Sequence, residues 1–213
     1  MPLIPEIDGS SIVVLGSFNP AIFHPLWFKI NQLIRPEEAD SAKLEVTHPA
    51  VSIFSLEWFK LQVEMERFVV ETTDKANFGP ISDLVLGTFS ILDHTPVRAL
   101  GMNRVMHFKM DSIEKWHAFG HMIAPKDVWH GIMERPGLRS LTMEDPRDDP
   151  LGLTRVKIEP SKQVDPGIFI EVNNHYEIKD NNIQNMLNIL KGSWKEVLLK
   201  SESIANHLIK KVE

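Results

Sequence analysis

The sequence predicts an α+β protein: a curved antiparallel sheet with helices on one face and a long C-terminal helix. Three observations carry that reading. Phe59, Leu61, Val63 and Met65 alternate with Lys60, Gln62, Glu64 and Glu66, the pattern of a strand with one buried and one wet face. Runs with helical spacing separate groups of such strands rather than single ones, which favours antiparallel pairing over a parallel sheet. The order of elements, β-α-β-β-β-α, occurs twice.

Taken along the chain, residues 12–18 (IVVLGSF) are β-rich and stop at Asn19 and Pro20, a turn signal. Residues 25–33 read as a short helix with proline in its first turn. The charged stretch 35–43 reads as a solvated loop, and residues 52–73 as two or three strands. Residues 81–92 (ISDLVLGTFSIL) have the spacing of an amphipathic helix. The second half opens with a long strand, 95–110, and a helix, 112–123, with Ser112 placed to cap it. Residues 126–133 add a helical turn. Strands are expected over 137–144, 153–160 and 168–178, with the acidic, proline-punctuated EDPRDDP as a loop. From Asn182 onward Ile183, Met186, Leu187, Leu190, Trp194 and Val197 lie on one stripe of a long helix, with Gly192 and Ser193 the expected bend. Its distal part, from Ile204, is expected to pack on another subunit or to fray.

The chain of 213 residues is long enough for one large core. It is read as a single domain, 1–213, made of two similar halves, approximately 8–94 and 95–213. Leu15–Gly16 and Leu100–Gly101 echo each other in the first strand of each half, which suggests an internal duplication. A half of this order resembles the TATA-binding-protein-like unit, in which two halves share one curved sheet. That likeness is one of fold and carries no activity. Helices on one side would leave the opposite sheet face free for a partner.

With no cysteine, any metal site must be built from histidine and carboxylate. Glu114, His117 and His121 stand at i, i+3 and i+7 of one helix, a ligand set suited to zinc or ferrous iron. The competing reading is a solvated helix face, with Ile113, Trp116, Gly120 and Ile123 as the buried stripe, and that reading is preferred. No cofactor is otherwise expected. A second set, Arg98, Asn103, Arg104 and His107 with Arg155 and Lys157, would form a polar patch for a ligand or partner if its strands were neighbours. Glu64, Glu66, Glu144, Glu159 and Glu171 dilute it. With a net charge of −6, the footprint of a nucleic-acid binder is missing. No nucleophile elbow, phosphate loop or dinucleotide fingerprint occurs. Met102, Met106 and Met110 are read as core filling.

The opening residues lack a basic region ahead of an apolar run, so a cytoplasmic protein with no membrane association is expected. The strand TPVRALGMN (95–103), the later GLRSL (137–141) and the closing amphipathic helix resemble a sporadically distributed family of uncharacterised bacterial and archaeal proteins. The similarity covers most of the chain from Asn19 and implies no activity, cofactor or site residue. The resulting expectation is a non-enzymatic binding or assembly protein, acting through an exposed sheet face and a helical oligomer contact. The partner would be a second copy or another protein. The alternatives are a nucleic-acid-associated protein using the open sheet and a metal-dependent enzyme at Glu114, His117 and His121.

Overall fold

The computed structural model describes residues 4–212, apart from the side chains of Thr47 and Val212. Strand β1 (Ile7–Gly16) leads into two short helices, α1 (Pro25–Ile30) and α2 (Pro36–Asp40). Strands β2 (Lys43–His48), β3 (Val51–Ser55), β4 (Lys60–Glu64) and β5 (Arg67–Thr72) follow, then helix α3 (Phe78–Ile91). The second run is β6 (Val97–Lys109), α4 (Ile113–Ile123), β7 (Leu141–Asp148), β8 (Leu151–Pro160), β9 (Gly167–Glu177) and α5 (Ile183–Ile209). All nine strands join one open, curved antiparallel sheet in the order β2-β3-β4-β5-β1-β6-β9-β8-β7. The first strand of each run lies at the centre, β1 against β6 with Ile12 opposite Met102 and Val14 opposite Leu100. The last strand of each run sits beside its first.

Alternation assigns the two faces. Ile12 and Val14 of β1, Phe68 and Val70 of β5, Leu61 and Val63 of β4, and Leu100 and Met102 of β6 share one side. There they pack with Phe28 of α1, Ile81, Val85 and Phe89 of α3, and Met186, Leu190 and Trp194 of α5. A second cluster joins Met106, Phe108, Ile158, Ile168 and Ile170 to Phe119 of α4 and Ala205 and Ile209 of α5. Helix α5 therefore spans both clusters. It is tied to α3 by Trp194, whose Nε1 donates to the Phe78 carbonyl at 2.8 Å. At the junction, Arg104 holds α5 to the sheet. It donates Nε and Nη2 to the two carboxylate oxygens of Asp8 at 2.9 and 2.7 Å. Its Nη1 reaches the Leu198 carbonyl at 2.8 Å and Glu202 at 3.1 Å.

Several expectations change. The stretch 35–43 is not a plain loop: it holds α2 and the first residue of β2. Glu38 reaches back to the Arg35 N–H at 2.8 Å and accepts from Trp58 Nε1 at 3.1 Å, so tertiary and capping bonds make a helix that five residues could not hold alone. EDPRDDP is mostly strand: Glu144 to Asp148 pair with β8, and the turn falls at Asp149 and Pro150. Phe119 is the buried anchor of α4, with Trp116 and Ile123 of the expected stripe half-buried against the same cluster, while Ile113 is exposed. The long helix continues unbroken past Gly192 and Ser193. Its distal part does not fray but packs on the chain's own sheet through Ala205 and Ile209, both buried. Ser112 caps α4 as expected, accepting from the Lys115 N–H at 3.2 Å. Among the described residues, no helix is long and apolar enough to cross a membrane.

Candidate functional site

The side of the sheet opposite the helices is left uncovered by any helix among the described residues. Its centre is built from the odd-numbered residues of β1 and β6, with Ser11 opposite Asn103 and Val13 opposite Gly101. Glycine, serine, alanine and valine make a low floor here. A Cβ at Gly101 would meet nothing closer than Val13, at 3.6 Å, an ordinary contact, so the glycine keeps the floor low rather than relieving a clash. The flanking strands carry taller and charged residues: Arg67, Val69 and Glu71 on β5, and Phe169, Glu171, Asn173 and His175 on β9. Arg155, Lys157 and Glu159 of β8 continue outward. The result is a trough with a small, weakly polar floor and walls of mixed charge.

Hydrogen bonds fix the floor. Asn103 Nδ2 donates to Ser11 Oγ at 3.1 Å, and Ser10 Oγ donates to the Asn103 backbone carbonyl at 2.9 Å. The Asn103 Oδ1 atom is buried with no hydrogen-bond partner. One end of the trough is closed by the β8–β9 connection. Ser161 Oγ lies 2.8 Å from His107 Nδ1 and accepts from the N–H groups of Gln163 and Val164 at 3.1 and 2.9 Å. With both lone pairs used, the hydroxyl hydrogen goes to His107, so Nδ1 is an unprotonated acceptor and Nε2 carries the proton. Burial lowers the His107 pKa below its ordinary value, in agreement with a neutral ring. Lys109 donates to the Asp165 carbonyl, and the Phe169 ring stands 4.9 Å from that of His107. A recess of about 370 Å³ lies where the face meets the β3–β4 turn, lined by Gly9, Ser11, Lys60, Glu71 and Val105 with Trp58 of the turn.

The sequence-predicted patch is divided by the sheet. Asn103, His107, Arg155 and Lys157 share the uncovered face. Arg104 does not, because its neighbour in an extended strand must point the other way. It is buried under α5, where burial opposes its charge but the bonds and charge of Asp8, then Glu202, outweigh that and raise its pKa. Arg98 is spent at the strand end on Glu66, 3.1 Å away. Lys157 pairs with Glu159 at 2.9 Å and Arg155 with Glu144 at 2.7 Å, so the face offers little unbalanced positive charge.

The proposed ligand set on α4 does not converge. Glu114 bonds back to Ser112 and to its own backbone, which lowers its pKa ahead of the smaller pull of His117. His121 Nδ1 accepts from the Lys126 N–H at 3.4 Å, and its Nε2 lies 3.8 Å from Asp127. His117 instead lines a separate cavity with Trp116 and Phe119. Among the described residues, no group of three His, Asp or Glu side chains is arranged to hold a metal ion. Sequence reasoning missed that cavity and the recess beside Trp58, because each is built from segments far apart in the chain. Compared with family models and with curated proteins, the chain matches none.

Proposed function

We propose that the protein is a non-enzymatic binding protein that takes a protein partner on the uncovered sheet face. The observation that carries this reading is the trough itself: a floor of small residues along β1 and β6, between walls of both charges, with the helices of the described residues on the other side. A sheet face meant only for solvent would carry long polar side chains at its centre. This one has Gly9, Gly101, Val13 and Val105 there instead. Mixed charge on the walls favours a protein over a nucleic-acid backbone, which would need a basic stripe.

The test is to fill the trough without unfolding the protein. Gly101→Trp adds bulk where a Cβ meets only ordinary contacts. Leu199→Glu, on the exposed side of α5, is the control. Affinity capture from extract of the native host should retain a partner on the wild type and on Leu199→Glu and lose it on Gly101→Trp. Equal capture by all three contradicts the proposal.

A further inference from the structure

We propose that the cavity beneath α4 is a binding site for an amphipathic carboxylate, an acyl or aryl chain ending in a single negative charge. The cavity holds about 410 Å³ and opens to solvent on the helix-covered side of the sheet, so it stands independently of the trough. Its walls are apolar: Trp116 and Phe119 of α4, Ile158 and Pro160 of β8, Ile168 of β9, and Leu138 of the α4–β7 connection. Ordinary core packing leaves few voids larger than a water molecule. This one has the size and the mostly apolar lining of a small-molecule site. The Trp116 N–H is already used, donating to the Gly167 carbonyl at 3.0 Å, so the indole presents only its apolar surface.

The polar groups at the rim choose the head group. They are His117, Lys126 and Arg135; Glu159 borders the cavity from β8, but its carboxylate lies with Lys157 on the uncovered face. Glu159 is neutralised by Lys157, 2.9 Å away. Among the described residues, neither Lys126 nor Arg135 forms an ion pair through its side chain. Uncompensated positive charge at the mouth of an apolar cavity selects an apolar body with an anionic end, and Arg135 has the planar fork that pairs with a carboxylate.

Titration calorimetry with decanoate and with decyltrimethylammonium, the same chain bearing opposite charges, tests the assignment. The wild type should bind one decanoate, and the cation at least about tenfold more weakly. Lys126→Gln with Arg135→Gln should weaken decanoate about tenfold, or about 1.4 kcal/mol, with little change for the cation. Gly120 lines the cavity, and a Cβ there meets nothing within 4 Å. Gly120→Leu should therefore fill the space and abolish binding of both probes while Tm does not fall. Gly137→Phe, from the opposite wall and also with open space around its Cβ, repeats that test should Gly120→Leu perturb α4. No decanoate binding below about 1 mM, equal binding of both probes, or unchanged binding by both filled variants each overturns the proposal.

Discussion

Asn103 and Arg104 are consecutive in β6 and serve opposite faces of the sheet. Asn103 lies in the uncovered trough, bonded to Ser11, while Arg104 is buried against Asp8 and α5. One strand thus carries both the floor of the candidate site and the bond network that holds the long helix in place.

That network predicts an asymmetry. Asp8→Ala leaves the Arg104 guanidinium buried without its two-point partner and should cost about 3–5 kcal/mol. Glu202 is 43% exposed, so Glu202→Gln should cost less than about 1 kcal/mol. Urea unfolding, compared at unchanged slope, measures both. Equal losses would contradict the assignment of Asp8 as the main partner.

The neutral His107 makes stability depend on pH. Its folded pKa lies below the unfolded value of about 6.5, so the unfolded chain binds the extra proton first. Its contribution is complete above about 6.5 and is lost as pH falls from there through the lower folded value. Lys109 is the cation near this group, on the same strand, and Phe169 and Ser161 face it from β9 and the β8–β9 connection. Urea midpoints at about pH 7.5 and 5.5 should fall more for the wild type than for His107→Gln. An equal fall removes His107 as the cause.

The end of α5 should be part of the core. Ile209 is 1% exposed and packs with the cluster around Phe108 and Ile170. Ile209→Ala should destabilise by about 2–5 kcal/mol, as a cavity in a packed site does. A frayed helix end would give almost no change in the unfolding midpoint.

Gly152 lets β8 approach β9. A Cβ there would stand 2.0 Å from the His175 carbonyl oxygen, at a φ of +157°. Gly152→Ala should cost about 1–3 kcal/mol by forcing the strands apart. Reduced amide protection confined to β8 and β9 in hydrogen exchange would locate the damage.

The legible parts of the fold were those where one face meets core and the other meets water. The alternation through β4 and the cap at Ser112 are local signals, and both elements form where those signals stand. Strands β2 and β7 were harder. They are the two edges of the sheet, with mostly exposed side chains, so no apolar alternation marks them. Helix α2 depends on Trp58 and on Lys29, which pairs with Asp40, neither of them adjacent in sequence. For the candidate site, Asn103, His107, Arg155 and Lys157 were found because polar residues stand on strands. Arg104 was misplaced because charge alone does not say which face a residue takes. Asp8, the partner that draws it inward, lies on another strand. The cavity beneath α4 needs Arg135 and Leu138 to fold back over β8, and no local pattern encodes that return.

The uncovered trough as the binding face is tested most directly by site-specific crosslinking. The chain has no cysteine, so a single Val13→Cys carries a photoreactive label at one known place on the floor, and Leu199→Cys carries it on the outer side of α5. After illumination in extract of the native host, the label at position 13 should give one discrete protein adduct that position 199 does not give. The same adducts from both positions, or none from position 13, would contradict the account.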